Sequence, residues 1–484
     1  MNEKSLSELY PNSLWSWFEN ICAIPRPSHH EEELKGVIKD WCQKKGLECI
    51  EDKVGNLILK KNAYPGFEDK PGVVLQAHLD MVPQKSQHKE FDFTKDAIEA
   101  HVDGEWVKAK DTTLGSDNGI GLSSILAIFE SKDIKHGPLE ALLTVNEEAG
   151  MTGVFGLEPG YLTSSYLINT DSEQEGEIYI GCAGGVDASI KLNFSLEKRP
   201  SDWKCYQINF TGLFGGHSGC DIHLNRANAI KLLSQFICIF SKKNECGLVS
   251  FKGGNLRNAI PRDAEAVIVI NRDESFLSDA LKAFEKKVQK DFEDREPNFE
   301  YALEIVESIE QYICGDELKA FMKCIEQCPN GVIKMNDVFE GVVETSINLG
   351  IAELKSGIFE LNFLVRSLNQ QGQEDVMQSL RELSSSFSGE INFSGEYPGW
   401  EPEKESKLRE LVFESYKQLF NKAPDLKVIH AGLECGIIKQ PYPDLDMISI
   451  GPTIKYPHSP GEKVHIESVG NYWKLLVNTL EMIE

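Results

Sequence analysis

Apolar runs that alternate with helical stretches in the first 170 residues are the feature that most constrains the fold of this chain. Residues 72–78 (GVVLQAH) form a compact apolar run after Pro71, which predicts a buried strand. Further buried strands are predicted at residues 139–145 and 166–168. Helices are predicted at residues 14–22, 31–45 and 119–130. Strands that alternate with helices are typical of an α/β sheet with helices packed on its faces.

The pattern changes near residue 184 and changes back after Pro398. Between these points, alternating strands and amphipathic helices follow in two series. The first series has the order β-β-α-β-β-α-β, and a second helix–strand series follows it, although the two share no sequence identity. We interpret them as two tandem copies of one α+β unit.

The α/β pattern returns with a helix at residues 408–420 and strands at 427–430 and 447–451. The predicted fold class is therefore α/β, with one domain built on a mixed sheet flanked by helices. Residues 1–185 and 399–484 would form this domain, and residues 186–398 would form an α+β domain inserted into it.

Length and charge narrow the functional classes. The chain has 484 residues, more than one hydrophobic core usually supports, so at least two domains are expected. Its formal net charge of −26 argues against nucleic acid and anionic membranes as partners, because both attract clustered Lys and Arg. Neither a signal peptide nor an apolar stretch long enough to span a bilayer is recognisable. We therefore expect a cytoplasmic protein whose twelve cysteines are reduced.

Polar clusters follow several of the predicted strands. His78 ends the first strand, and Asp80 follows two residues later, a spacing that suits a metal ligand and the carboxylate that orients it. A strand-end histidine with a local acceptor would give the same pattern. Asp117 lies between glycines just before the helix at 119–130. That is also the place of a helix N-cap, but the two oxygens of a carboxylate would allow it to bridge two cations.

The acidic pair Glu147 and Glu148 follows the second strand, where adjacent carboxylates are costly unless they bind something. Successive side chains point apart, so one can ligate a metal while the other carries a proton. Two solvated loop acids are the alternative. Asp171 follows the third strand, and His458 lies in a polar segment near the C-terminus. Each of these two, taken alone, is also typical of a solvated loop.

Together the clusters supply two histidines and several carboxylates, a ligand mixture that fits zinc, with manganese or cobalt as substitutes. Two ions are needed to use all of these ligands. Such ions lie ~3.5–4 Å apart, share a bridging carboxylate and a water, and lower the pKa of that water toward ~7. A nearby carboxylate can then take the proton and pass it to a leaving amine. The residues therefore predict a dinuclear zinc hydrolase.

Six segments resemble the motifs of the co-catalytic zinc metallopeptidases, which include glutamate carboxypeptidase-like enzymes, aminoacylases and dipeptidases. They are residues 77–82 (AHLDMV), 113–119 (TLGSDNG), 146–150 (NEEAG), 169–171 (NTD), 430–436 (HAGLECG) and 458–462 (HSPGE). The strongest resemblance is to the aminoacyl-histidine dipeptidase branch (Xaa-His dipeptidase, peptidase D). It extends over essentially the whole chain, and no motif is missing.

The resemblance implies a role for each residue. Five would be metal ligands, with His78 and Asp171 on one zinc ion, Glu148 and His458 on the other, and Asp117 bridging them. Asp80 would orient the first histidine, and Glu147 would be the general base and acid.

The resemblance also implies that the inserted domain is a lid. Its His217, in the segment GGHSG, would stabilise the oxyanion of the tetrahedral intermediate, for which a donating imidazole is suited. A glycine-turn histidine without a role is the alternative. Asn258 and Arg366 resemble lid residues that contact substrate, and Arg366 could clamp a terminal carboxylate or form a surface ion pair. His430 and Glu434 are further candidates to line the pocket.

The implied activity is the hydrolysis of unblocked dipeptides, preferably Xaa-His dipeptides such as β-alanyl-histidine, by a homodimeric enzyme. An aminoacylase, a deacetylase or a tripeptidase with the same dizinc site is the alternative, because no residue identifies the leaving group directly. A binding protein with an inactive site is a third hypothesis. The complete ligand set together with Glu147 argues against it, since a protein without catalysis has little need of a general base.

Overall fold

The chain divides into two compact units in the computed structural model, which describes residues 5–307 and 309–483. The first unit comprises the chain up to Cys182, Trp400–Val428 and the chain from Leu433 onward. The second comprises Ala183–Gly399 and Ile429–Gly432. The second unit is thus inserted into the first, and four residues from the C-terminal part of the sequence belong to it.

The first unit contains both α-helices and β-strands. Its helices are Asn12–Cys22, Glu32–Lys45, Ser116–Glu130, Thr152–Phe155, Lys407–Phe420, Glu434–Ile438 and Ile466–Met482. Its strands are Glu48–Glu51, Leu57–Lys61, Val73–His78, Ala100–Asp103, Trp106–Ala109, Leu139–Thr144, Tyr166–Asn169, Glu177–Cys182, Asp425–Ile429, Asp446–Ser449, Ile454–Lys455 and Lys463–His465.

Eight of these strands form the central sheet of the unit. Their order is Glu48–Glu51, Leu57–Lys61, Leu139–Thr144, Val73–His78, Tyr166–Asn169, Asp446–Ser449, Glu177–Cys182 and Asp425–Ile429. The four strands from Leu139–Thr144 to Asp446–Ser449 pair in parallel, whereas Leu57–Lys61 and Glu177–Cys182 pair antiparallel to them. The sheet is therefore mixed, and the predicted α/β fold class is confirmed.

The parallel strands lie in the interior of the unit. Every residue of Val73–His78 and of Leu139–Thr144 is buried, as expected for parallel strands covered on both faces. The helix Ser116–Glu130 is buried along nearly its whole length, and Asn12–Cys22 packs against it through its apolar face. The carboxyl ends of the central strands are thereby held in a fixed arrangement. Among the described residues, no helix is both long enough and apolar enough to cross a membrane.

The second unit is an α+β structure built on a separate nine-stranded sheet. Its helices are Ala229–Ser241, Glu274–Phe292, Gly315–Gln327 and Gln370–Ser386. Its strands are Gly184–Asn193, Glu197–Lys198, Lys204–Thr211, Gly216–His217, Cys246–Gly253, Ala259–Ile260, Ala264–Ile270, Glu300–Val306, Gln311–Tyr312, Gly331–Met335, Val343–Lys355, Ile358–Ser367 and Glu390–Tyr397.

Two β-α-β-β-α-β copies make up this unit, and one is nested inside the other. The inner copy begins at the strand Lys204–Thr211 and ends at Glu300–Val306. The outer copy begins earlier, at Gly184–Asn193, and continues after the inner copy to Glu390–Tyr397. The four main strands of each copy have the order 4-1-3-2, and the copies join through their second strands, Cys246–Gly253 and Val343–Lys355, which pair antiparallel. A single continuous sheet results from the two copies.

Candidate metal centre

The parallel strands of the first unit bring the predicted ligands to one edge of its sheet. His78 is the last residue of its strand, Glu148 follows Leu139–Thr144, and Asp171 follows Tyr166–Asn169. Because the carboxyl ends of parallel strands meet at the same edge, these side chains converge although they are far apart in sequence.

The five predicted ligands form one continuous series of close contacts. His78 Nε2 lies 3.4 Å from Asp171 Oδ1 and 3.0 Å from Asp117 Oδ1. The other oxygen, Asp117 Oδ2, lies 3.2 Å from His458 Nε2, which in turn lies 3.0 Å from Glu148 Oε1. Asp117 is therefore the middle member and presents one oxygen to each histidine. This is the arrangement that a carboxylate shared by two cations requires.

The donor set suits a divalent cation. Ligand atoms of His78, Asp117 and Glu148 all lie within 4.8 Å of one another. Glu148 Oε1 is buried, and its close polar neighbour is the imidazole of His458, itself a predicted ligand. Imidazole nitrogen and carboxylate oxygen are both ligands of zinc.

The electrostatics of the cluster also favour a bound cation. Burial raises the pKa of Asp171 and of Glu148, because charged carboxylates are poorly solvated there. Burial would also raise the pKa of Asp117, but hydrogen bonds with the two histidines hold it below its usual range. Hydrogen bonds with Asp117 and Glu148 raise the pKa of His458 to about 11. A site with this excess of carboxylates would be stabilised by divalent positive charge.

Asp117 lies at a conformational break in its helix. The helical segment Ser116–Glu130 begins one residue before Asp117, and both side-chain oxygens of Asp117 are directed at the histidines. Asp117 and Asn118 have non-helical backbone angles, and the peptide bond between them is cis. Asn118 Nδ2 donates a hydrogen bond to Asp171 Oδ1, which connects this segment with the adjacent ligand.

Asp80 contacts the first ligand and the acidic pair at once. Its Oδ1 lies 3.3 Å from His78 Nδ1 and accepts a hydrogen bond from the Glu147 N–H at 3.0 Å. Its Oδ2 accepts hydrogen bonds from the Glu148 N–H at 3.1 Å and from Ser28 Oγ at 2.7 Å. Burial would raise the pKa of Asp80, but the hydrogen bond with His78 holds it below its usual value. The carboxylate is thus ionised and well placed to orient the imidazole.

Glu147 differs from its neighbour in its surroundings. Burial raises its pKa well above the ordinary value for a glutamate, although the nearby His78 opposes this shift, and the charges of Asp171 and Glu434 add to it. A carboxyl group with a raised pKa is suited to accept and return a proton near neutral pH.

In the second unit, the environment of His217 determines its tautomer. The Nδ1 atom accepts hydrogen bonds from the N–H groups of Gly219 and Cys220, at 3.3 and 3.1 Å. Burial lowers the pKa of this imidazole, and the charge of Arg366 lowers it further. A neutral ring whose Nδ1 accepts must carry its proton on Nε2. His217 therefore presents an N–H donor at Nε2.

Two other predicted residues of the second unit are buried and incompletely paired. Arg366 is 5% exposed, donates from one terminal nitrogen to Tyr397 Oη at 3.3 Å, and has no partner for its Nε among the described residues. His430 Nε2 lies 2.7 Å from Ser346 Oγ. Burial lowers the pKa of His430 to about 3, with help from the charge of Arg366. Asn258 is exposed. These groups offer donors and positive charge to an anion.

Glu434 lies in the first unit and has an exposed fraction of 0%. Its Oε2 accepts hydrogen bonds from Gln76 Nε2 at 2.5 Å and from Thr144 Oγ1 at 2.7 Å. Its Oε1 has no hydrogen-bond partner among the described residues, and its charge helps to raise the pKa of Glu147, so its role at the pocket stays a prediction.

Sequence reasoning missed Arg26 and Ser28, which support the site, and it quoted Glu462 as the end of the segment 458–462 without assigning it a role. Arg26 and Glu462 are each 2% exposed, although ionised side chains are rarely buried so deeply. Ser28 acts through Asp80, as described above. All three contact segments more than 50 residues away in sequence, so local patterns do not predict these contacts.

Comparisons with known proteins agree with this geometry. Residues 74–482 match the model of peptidase family M20/M25/M40. The chain belongs to this family. It is 46% identical over 479 residues to the cytosol non-specific dipeptidase of Escherichia coli (strain K12), with 99% of each protein covered.

Two solved structures have the same fold as this chain. Aminoacylhistidine dipeptidase from Vibrio alginolyticus superposes with a TM-score of 0.93 at 45% sequence identity, covering 99% of this chain and 98% of that one. Aminopeptidase PepT from Bacillus cereus shares the fold, with a TM-score of 0.58 at 15% identity over 98% of this chain and 99% of that one.

The predicted resemblance to the aminoacyl-histidine dipeptidase branch is confirmed, as is the prediction of an enzyme of the metallo-dipeptidase class, a hydrolase of peptide bonds. Peptidases of the M20 family are metal-dependent, and the cluster of His78, Asp117 and Glu148 accords with that property.

Proposed function

We propose that this M20 peptidase hydrolyses dipeptides, preferably Xaa-His dipeptides, at a site that holds two zinc ions. The observation that carries the proposal is the position of Asp117, which presents one oxygen to His78 and the other to His458. The metal-dependent family and the dipeptidase relatives support the same conclusion.

The proposed ligand assignment follows the order of contacts. His78 and Asp171 would hold one ion, Glu148 and His458 the other, and Asp117 both. Cobalt or manganese could replace zinc with the same ligands. His78 would ligate through Nε2, because its Nδ1 faces Asp80.

Proton transfer is assigned to Glu147. When bound, the two ions would supply Lewis acidity toward the scissile carbonyl and make a water nucleophilic near neutral pH. Glu147 would take the proton from that water and return it to the leaving amine, for which its raised pKa is suited. Asp80 would hold the N–H groups of both acidic residues and so set the direction of the Glu147 side chain.

The second unit would act as the lid. We propose that the Nε2–H of His217 donates to the oxyanion of the tetrahedral intermediate, since its other ring nitrogen already accepts two hydrogen bonds. Arg366 would bind the substrate carboxylate, because its buried guanidinium retains an unpaired N–H among the described residues. Asn258 and His430 would contribute polar contacts to the same substrate.

The Xaa-His preference is supported by the aminoacylhistidine dipeptidase from Vibrio alginolyticus, which matches almost the entire chain. The dipeptidase from Escherichia coli is named non-specific, so a wider range of dipeptides belongs to the proposal. We also propose a cytoplasmic location, as for that cytosolic relative. We further propose that the enzyme is a homodimer, which size-exclusion chromatography with light scattering would test.

A substrate panel tests the function directly. It contains β-alanyl-histidine, other Xaa-His dipeptides, dipeptides without histidine, a tripeptide and N-acetyl amino acids. We expect the highest kcat/KM for Xaa-His dipeptides. Equal or faster turnover of the acetylated compounds would replace the dipeptidase with an aminoacylase or deacetylase, and preferred cleavage of the tripeptide would make the enzyme a tripeptidase.

A further inference from the structure

Two buried ions of opposite charge lie among the segments that carry the proposed ligands, and the mechanism above uses neither of them. They are Arg26 and Glu462, both in the first unit, and each is 2% exposed. Burying a charge is costly unless it is paired and hydrogen-bonded. The hydrogen bonds of the two side chains therefore identify the segments that these buried charges hold in place.

Glu462 accepts hydrogen bonds from four consecutive residues of the segment that leads to Asp117. Its Oε2 accepts from the N–H groups of Leu114 at 2.7 Å and Gly115 at 3.0 Å. Its Oε1 accepts from Ser116 N–H at 2.7 Å, Ser116 Oγ at 2.6 Å and Asp117 N–H at 3.3 Å. One carboxylate thus determines the backbone direction immediately before Asp117.

Glu462 also belongs to the turn that carries His458. Its own N–H donates to the Ser459 carbonyl at 3.0 Å, and Ser459 Oγ donates to the Tyr456 carbonyl at 2.9 Å. His458 has a left-handed backbone conformation, with φ of +58°, which a non-glycine residue adopts only when its surroundings enforce it. Glu462 therefore connects the His458 turn with the Asp117 segment.

Arg26 makes the corresponding connection through carbonyl groups. One terminal nitrogen donates to the carbonyls of Leu79 at 2.9 Å and Asp80 at 2.7 Å, directly after His78. The other donates to the carbonyl of Gly115, one of the residues whose N–H groups Glu462 accepts. The planar guanidinium thus joins the His78 strand end to the Asp117 segment, and its several N–H groups make this possible.

We propose that Arg26 and Glu462 are positioning residues that hold His78, Asp117 and His458 in the geometry for metal binding. Arg26 binds carbonyls that follow His78 and the carbonyl of Gly115, and Glu462 binds the N–H groups of the segment that leads to Asp117. Together the two side chains connect three ligands that lie on separate parts of the chain. Neither side chain contacts the metal or the substrate in this proposal. The inference rests on the proposed metal site.

Glu462→Gln tests the inference with the full-length protein. The NH2 group of the glutamine amide cannot accept the hydrogen bonds that one carboxylate oxygen of Glu462 now accepts from backbone N–H groups. We expect zinc affinity, measured by competition with a chromophoric chelator, to fall about 10–100-fold, as for outer partners of metal ligands. Ser116→Ala removes only one donor to Glu462 and should weaken zinc binding about fivefold, which provides a variant with little risk to folding.

Glu140→Gln is the matched control. Glu140 is 3% exposed and accepts hydrogen bonds from Thr163 N–H, Thr163 Oγ1 and Ser164 N–H, at 2.9, 3.0 and 2.9 Å, in the same unit. It pairs with Val74, away from the strand ends that carry the ligands. This variant should lose stability but keep wild-type zinc affinity.

The inference is overturned if Glu462→Gln and Ser116→Ala both bind zinc like the wild type, or if Glu140→Gln loses as much affinity as Glu462→Gln. These results leave the proposed function intact, provided that the wild-type protein binds zinc and cleaves dipeptides. A wild-type protein that binds no zinc would instead overturn the proposed metal site itself.

Discussion

Replacing Asp80 with asparagine should weaken metal binding without removing any proposed ligand. The Asp80 carboxylate lies 3.3 Å from His78 Nδ1 and accepts hydrogen bonds from the Glu147 N–H, the Glu148 N–H and Ser28 Oγ. Either orientation of the new amide directs its NH2 group at one backbone N–H. At least one hydrogen bond to a charged group is therefore lost.

The expected magnitude follows from that loss. A hydrogen bond to a charged group contributes about 1.5–3 kcal/mol, which corresponds to roughly 10–100-fold in an equilibrium constant. We expect zinc affinity to fall by this factor in Asp80→Asn, and kcat for a dipeptide to fall as well, because the N–H of Glu147 or of Glu148 loses its acceptor. Zinc affinity is measured by chelator competition, and kcat is measured at saturating zinc.

Asp52→Asn provides the matched control for this experiment. Asp52 is 7% exposed and accepts hydrogen bonds from the N–H groups of Val54, Gly55 and Asn56, at 3.0, 2.9 and 2.8 Å. Asp52→Asn should lower the free energy of unfolding and leave the zinc affinity unchanged. The reasoning is refuted if Asp80→Asn binds zinc as tightly as the wild type, or if Asp52→Asn loses the same affinity.

Three further changes have specific outcomes. Gly115→Ala should lower the free energy of unfolding, measured by urea denaturation, by at least ~1–2 kcal/mol, because φ is +71° and the new Cβ would lie 2.7 Å from Arg26 Nη2. Gly104 has a φ of +61° and no atom within 4 Å of its Cβ, so Gly104→Ala should lose only the part of this free energy that comes from the left-handed backbone. His430 has a folded pKa of about 3 against an ordinary 6.5, so the unfolded chain takes up a proton first as pH falls. The free energy of unfolding should then drop by up to ~1.4 kcal/mol per pH unit below pH 6.5, and the urea midpoint of His430→Gln should vary less with pH; equal slopes would contradict the buried neutral imidazole. Glu147→Ala should retain its zinc, by metal analysis, and lose dipeptidase activity, and retained turnover would exclude Glu147 as the base.

The segments that carry the ligands could be predicted because each has a strong local pattern. The run at residues 72–78 is continuously apolar and ends at His78, as a strand buried on both faces should. The helix near Asp117 was recognisable from its apolar composition, but its start at Ser116 depends on contacts with Glu462 that are remote in sequence. The close approach of the polar clusters follows because the carboxyl ends of parallel strands meet at the same edge of a sheet.

Other features depend on long-range structure and left no local signal. The strand Glu48–Glu51 is short and partly exposed, so its pattern does not differ from that of a loop. The two α+β copies of the second unit were recognisable as similar series, but their nesting depends on which strands pair, and Gly184–Asn193 pairs with Ile358–Ser367 more than 160 residues later. Glu434 is expected at the pocket from its motif, but that motif does not predict its hydrogen bonds with Gln76 and Thr144.

The most direct test of the central claim is the zinc content of the wild-type protein and of Asp117→Ala after equilibrium dialysis. Asp117 presents one oxygen to each histidine, so both ions should depend on it. We predict two zinc equivalents per chain in the wild type and at most one in Asp117→Ala, with dipeptidase activity lost. Two full equivalents in Asp117→Ala would contradict the shared carboxylate on which the proposed function rests.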